Sequence, residues 1–455
     1  MRRLTGDDNR VQVLTPDGCG CVESSIVGCL FCLHCCNSER LGNRMAFFPP
    51  SPPSYTMAQG RDGRIHARYT DGKMQILWGK ALADFDVDIV RTSRGEHVPC
   101  AWVAAPDDAP TRGVTLVVSH GNAIDFAMYV PFARYLRDTL GVNVAAYDYT
   151  GYGGATGRPN ISDTRADLRA VVDHLVDVRG VDPRRIILYG QSIGSGPTCH
   201  YAAAAATEAA EAREAEASTR EGEGGGGGGK KCWRRPARRV SDAGAEASSP
   251  GTARVYHDVG GVVLVSPIAS GLNVIGAPDG CCRPACVFYW CDVYPNVRLV
   301  PKFDCPTLVI HGTRDVEVPF HHGHAVRGAV REDTGSPPPY WAKGAGHSDV
   351  FEVDRPEFLA RLGNFVKDIN RRASEGDGGA RGRGARREGE PPAMPGGMVA
   401  PTPATTVDES ETRAIRSSRR NGESDEEGAE EGEGKKGEGK RGRGRDDGAP
   451  VRTAP

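Results

Sequence analysis

The sequence predicts an α/β protein with a mainly parallel central sheet and helices on both faces. Three observations predict it. Short continuous apolar runs recur at residues 114–118, 142–147, 186–189, 259–265 and 306–310, as strands buried on both faces read. Amphipathic helical segments at 126–140 and 162–178 separate them, the alternation that builds a covered parallel sheet. Several runs also end in glycine-bearing turns that carry Ser, His or Asp.

Composition points to one such domain. The chain has 455 residues, but only 38% are hydrophobic, and its 59 Gly and 32 Pro crowd into biased stretches. A formal net charge of −2 gives no field for nucleic acid. No apolar run approaches the ~18 residues of a membrane span. The N-terminus lacks the pattern of a secretory signal, so disulfides are disfavoured for its 14 cysteines.

Residues 1–57 read as a disordered N-terminus. Within it, Cys29, Cys32, Cys35 and Cys36 stand among Leu30, Phe31 and Leu33. Such a cluster suits S-acylation, because two or more acyl chains anchor stably where one is marginal. Zinc fits less well: the ligands after Cys21 are crowded together, and structural zinc sites pair ligands across a longer loop. MAFFPPSPPSY, residues 45–55, reads as an extended proline-rich connector.

The globular domain is placed at 58–371. Alternation at 85–90 and a β-like run at 98–104 predict a hairpin turning at Ser93-Arg94-Gly95. The strand at 114–118 leads into Ser119-His120-Gly121-Asn122, and the one at 142–147 into the glycine-rich DYTGYGGATGRP. That loop matches neither a dinucleotide fingerprint nor a P-loop with its Lys. The helix at 162–178 takes Ser162 or Asp163 as cap. After residue 195 an Ala/Glu-rich helix runs into six glycines and the basic KKCWRRPARR. Residues 207–254 read as a disordered insertion, whose basic run needs no partner. Residues 268–300, with four cysteines between Cys281 and Cys291, suit a lid or cap. A short strand at 339–343 and a helix at 356–370 close the domain. Residues 372–455, rich in Gly, Glu, Lys and Arg, read as a disordered charged tail.

IILYGQSIGSGP, residues 186–197, carries the chemistry. Gly-x-Ser-x-Gly after an apolar strand is a nucleophile elbow, which lifts Ser192 clear of the backbone. A serine hydroxyl needs a base, and His347 after the last strand would supply it. Asp315, after the preceding strand, would orient the imidazole; Asp292 and Asp279 are the other acids in reach. The backbone N–H groups of Ile193 and Asn122 are the expected oxyanion donors. His120 would orient that turn, and His311, His321, His322 and His324 read as structural or exposed. The order nucleophile, acid, histidine, each after a strand, is that of the α/β-hydrolase fold. The chemistry requires no metal and no cofactor.

HGN at 120–122, DYTGYGGATGRP at 148–159, GQSIGSGP at 190–197, SPIASG at 266–271, DVYPN at 292–296, HGTRD at 311–315 and GAGH at 344–347 resemble the α/β-hydrolase-domain-containing protein 17 family. So does the Cys cluster followed by MAFFPP. The resemblance spans about residues 25–371 and departs from the family at the insertion, the Cys281–Cys291 segment and the tails. It implies a serine thioesterase that removes palmitate from S-acylated membrane proteins. It also implies peripheral anchoring on the cytoplasmic face of plasma or endosomal membranes, with Cys29, Cys32, Cys35 and Cys36 acylated. The residues alone leave two other readings open: a carboxylesterase or peptidase of the same fold, and a non-catalytic scaffold.

Overall fold

The computed structural model describes residues 42–43, 46–223, 256–275 and 292–381. The chain divides into two compact units, Met1–Arg386 and Arg387–Pro455, and every described residue belongs to the first. In chain order the strands are β1 (Tyr55–Gln59), β2 (Ile65–Tyr69), β3 (Asp86–Arg91), β4 (His97–Val103), β5 (Thr115–Ser119), β6 (Asn143–Tyr147), β7 (Ile186–Gln191), β8 (Gly261–Val265), β9 (Thr307–Gly312) and β10 (Tyr340–Ala342). They form one sheet in the order β1-β2-β3-β4-β6-β5-β7-β8-β9-β10. Pairing is antiparallel from β1 through the β4–β6 contact, and parallel from β6 across to β10.

The principal helices are α1 (Gly72–Ala83), α2 (Phe126–Leu140), α3 (Ile161–Asp177), α4 (Ser195–Glu223), α5 (Gly271–Ile275), α6 (Asn296–Leu299), α7 (His321–Ala329), α8 (Val350–Val353) and α9 (Arg355–Arg381). The continuous apolar runs divide by the period-two rule of a strand. Leu116, Val118, Ile187, Tyr189, Val263, Leu308 and Ile310 face one core, closed by α2 and α9. Val117, Ile186 and Leu188 face the opposite side with α3 and α4. Val262, Leu264 and Val309 join α4 and α7 on that side. Each fully buried aliphatic side chain contributes about 1.5–3 kcal/mol, so these central strands hold the layers together.

The hairpin β3–β4, the helix α2 and the strands β5 to β10 stand where the sequence puts them. The N-terminal boundary does not. β1 begins at Tyr55, and Phe47 is buried against Tyr152. The stretch read as a free connector is therefore a strap laid on the domain. The helix α3 is capped by Asn160, whose side chain accepts from the Asp163 N–H at 2.8 Å, rather than by Ser162 or Asp163. The helix α4 runs on to Glu223, into the stretch read as insertion, and α9 passes residue 371 to end at Arg381.

The glycine-rich loop is an inward brace. Tyr149 and Tyr152 are buried, and Tyr149 donates to the carbonyl of His120 at 2.7 Å. Asp167 of α3 accepts from both the N–H and the hydroxyl of Thr150. Asp148, with Tyr55 and the Phe126 N–H as donors, pins the start of α2. Burial, reinforced by the charge of Asp125, pushes the Asp148 carboxyl up to about 7.

Candidate active site

The elbow forms where β7 meets a single tight turn, Ser192–Gly194, that opens into α4. Ser192 adopts φ +52, a left-handed conformation that a residue with a Cβ holds only under constraint from its surroundings. The two glycines supply that constraint. A Cβ on Gly190 would lie 2.7 Å from the Thr198 hydroxyl and 2.8 Å from the Gly194 carbonyl. A Cβ on Gly194 would drive into the carbonyl oxygen of Ser119, at the end of β5. Replacing Gly194 with alanine should force β5 and the elbow apart and cost about 1–3 kcal/mol of stability. The denaturation midpoint measures the loss; an unchanged midpoint would contradict the packing described.

The three elements ending in β7, β9 and β10 bring Ser192, Asp315 and His347 together. The His347 Nε2 lies 2.8 Å from the Ser192 hydroxyl, and its Nδ1 lies 2.7 Å from Asp315 Oδ2. Asp315 Oδ1 accepts from the backbone N–H groups of Glu317 and Val318, at 3.0 and 2.8 Å. Burial alone would raise this carboxyl. Hydrogen bonds from His311 and His347, the charge of His347 and the Val318 N–H outweigh it, holding the group well below the usual carboxylate range. Asp315 is therefore an anion through the neutral range, as an imidazole-orienting acid must be.

Asp292, the other candidate acid that lies among the described residues, is engaged elsewhere. It accepts from the Gly271 and Tyr294 N–H groups and lies 3.8 Å from Arg298. Asp279 lies outside the described residues, as do Cys29, Cys32, Cys35, Cys36, the Cys281–Cys291 segment and the basic run of the insertion. Among the described residues no group of His, Cys, Asp or Glu is arranged to hold a metal ion, and no helix is long and apolar enough to cross a membrane.

The turn carrying Asn122 lies against the elbow: a Cβ on Gly121 would sit 3.9 Å from that of Ser192. The Asn122 side chain points into the strap. Its amide donates to the Ala46 carbonyl at 2.6 Å, and its oxygen accepts from the Phe48 N–H at 2.9 Å and the Tyr152 hydroxyl at 2.6 Å. Asn122 thus offers the site its backbone. His120 is buried with Nδ1 donating to the Gly121 carbonyl at 2.7 Å. Burial lowers its pKa to about 4, so it braces the turn as a neutral ring.

Three contributors are not legible in the sequence alone. His311, anticipated only as structural or exposed, is fully buried with Nε2 3.2 Å from Asp315 Oδ2 and 2.8 Å from the Val318 carbonyl. It places a second imidazole on the acid. Ser195, just beyond the elbow, donates to the Ser192 carbonyl at 2.6 Å and accepts from the Ile268 N–H and the Asn296 amide. It ties the elbow to the SPIASG and DVYPN segments, which explains why a serine stands there. The strap at 46–54 is the third; its signal was paired aromatics, Phe47 and Phe48, in an otherwise proline-rich stretch.

Residues 116–362 match the family model described as "Alpha/beta hydrolase family". The alpha/beta hydrolase domain-containing protein aho-3 of Caenorhabditis elegans is 31% identical over 349 residues, covering 74% of this chain and 81% of its own. The alpha/beta hydrolase domain-containing proteins 17B of Xenopus laevis and Homo sapiens are each 28% identical over 339 residues, covering 74% of this chain and 94% of theirs.

Proposed function

Because this chain belongs to the alpha/beta hydrolase family, we propose that it is a serine hydrolase that cleaves acyl thioesters, removing palmitate from S-acylated membrane proteins. One observation carries the proposal: a single imidazole, that of His347, bridges the Ser192 hydroxyl and the Asp315 carboxylate. Ser192 Oγ attacks the thioester carbonyl while His347 Nε2 takes its proton. The carbonyl oxygen becomes an anion beside the N–H groups of Ile193 and Asn122. The first N–H groups of a helical turn lack an intrahelical acceptor, which suits Ile193 to this task. Collapse of the tetrahedral intermediate breaks the C–S bond. The departing cysteine thiolate takes the proton from His347, leaving the acyl group on Ser192. Water then attacks the acyl-enzyme, gives its proton to His347, and releases the fatty acid as the serine is regenerated.

The choice of thioester over a simple ester draws on the resemblance carried by the quoted motifs and on the N-terminal composition. Cys29, Cys32, Cys35 and Cys36, acylated, would confine the enzyme to the cytoplasmic face of a membrane beside lipidated substrates. Replacing these four cysteines with serine should move the protein from the membrane to the soluble fraction while Ser192 still reacts with a fluorophosphonate. Retention on the membrane would contradict the anchor. A soluble esterase that ignores long-chain acyl-cysteine thioesters would contradict the substrate class.

A further inference from the structure

Beyond the three residues that perform the chemistry, one ionisable side chain stands at the reacting centre without a part in it. The carboxylate of Glu317 lies 4.0 Å from His347 Nε2, the nitrogen that also faces Ser192. Its side chain is 67% exposed, whereas that of His347 is 10% exposed. Glu317 is therefore the more solvent-exposed of the two, with its carboxylate near the nitrogen that faces Ser192. Its position is not left to a wandering loop. The Glu317 N–H is bound to Asp315 Oδ1, and so is that of Val318. The acid that orients His347 thus also fixes the backbone from which Glu317 projects. No Lys or Arg among the described residues forms an ion pair with Glu317.

The reaction proposed above brings the leaving group to this place. To take a proton from His347 Nε2, the cysteine sulfur must come within hydrogen-bonding reach of that nitrogen. The residues flanking the cysteine must then pass close to Glu317, whereas the acyl chain lies on the other side of the carbonyl. We infer that Glu317 is a specificity-determining residue that favours acyl-cysteines flanked by lysine or arginine and disfavours those flanked by acidic residues. This rests on the thioesterase reading and names the leaving-group chemistry it prefers. Such cysteines occur where basic segments lie against an anionic membrane surface.

The size of the effect follows from Coulomb's law. A unit charge about 6 Å from the carboxylate, at an effective dielectric between roughly 40 and 80, shifts kcat/KM about threefold to tenfold relative to a neutral flank. Raising salt shortens the reach of that field.

Three acyl-cysteine peptides test this, identical except for Lys, Gln or Glu beside the modified cysteine. For wild type, kcat/KM should fall in the order Lys, Gln, Glu. The Lys-to-Glu ratio should shrink toward one in Glu317→Gln, invert in Glu317→Lys, and narrow at about 0.5 M salt. A wild-type ratio near one, or a ratio unchanged in Glu317→Gln, overturns the inference while leaving the thioesterase reading intact. If wild type cleaves none of the three while Ser192 still reacts with a fluorophosphonate, the thioesterase reading fails and takes this inference with it.

Discussion

Replacing Ser192 with alanine is expected to abolish covalent labelling by a fluorophosphonate and to lower acyl-ester hydrolysis by at least about 10³-fold. The substitution removes only the hydroxyl that His347 reaches at 2.8 Å. The φ +52 backbone stays within reach of alanine because the elbow is held by its neighbours, through Gly190, Gly194 and Ser195. Fold should therefore survive where reactivity does not. A circular dichroism spectrum and melting curve close to wild type, with no adduct by mass spectrometry, is the expected pair of results. Labelling that persists at wild-type level would move the nucleophile elsewhere and remove the basis of the mechanism.

The second large effect is expected from Asp315→Asn. Asp315 Oδ2 accepts from two imidazoles, His347 Nδ1 at 2.7 Å and His311 Nε2 at 3.2 Å. Oδ1 is already committed to two backbone N–H groups, so the amide nitrogen of an asparagine must take the Oδ2 place. There it presents a donor to His347 Nδ1, which must then lose its hydrogen. The neutral ring would carry its proton on Nε2 and could not accept one from Ser192. The rate should fall by about 10³- to 10⁴-fold with little change in KM. A modest loss would mean that another acid orients His347. Because Asp315 is held well below the usual carboxylate range, it stays charged at every pH where turnover is measured, and the acid limb of a rate profile does not come from it. A depressed carboxyl binds fewer protons folded than unfolded near its ordinary value of about 3.9. Its stabilising contribution is complete above that value and is lost as pH falls toward the depressed one.

The parts of the molecule that the sequence reveals are those with two buried faces or fixed steric demands. β5, β7, β8 and β9 read as unbroken apolar runs because one half of each packs under α2 and α9 and the other under α3, α4 and α7. The elbow is legible because no side chain larger than hydrogen fits at Gly190 and Gly194. β1 and β2 are different. They lie at the sheet edge, each burying one aromatic, Tyr55 or Tyr69, among exposed and half-buried neighbours, so their alternation is too weak to register. The helix α1 buries only Gly79 and Leu82 and leaves Ile76 and Leu77 exposed, which blurs its apolar stripe. His311 is a case of proximity across a turn: its role depends on Val318 and Asp315 folding back onto it, which spacing alone does not reveal. The strap is a case of tertiary contact overriding composition, since prolines that bar helix do not bar the backbone hydrogen bonds that Ala46 and Phe48 make with Asn122.

The reaction proposed for Ser192 is hydrolysis of palmitoyl thioesters on membrane proteins. Membranes carrying proteins labelled with thioester-linked palmitate, incubated with wild-type protein or with Ser192→Ala, test it most directly. Wild type should release free palmitate and leave the protein cysteines as thiols, while Ser192→Ala should release none above background. Equal release by the two proteins, or no release by a wild type that still labels with a fluorophosphonate, would contradict it.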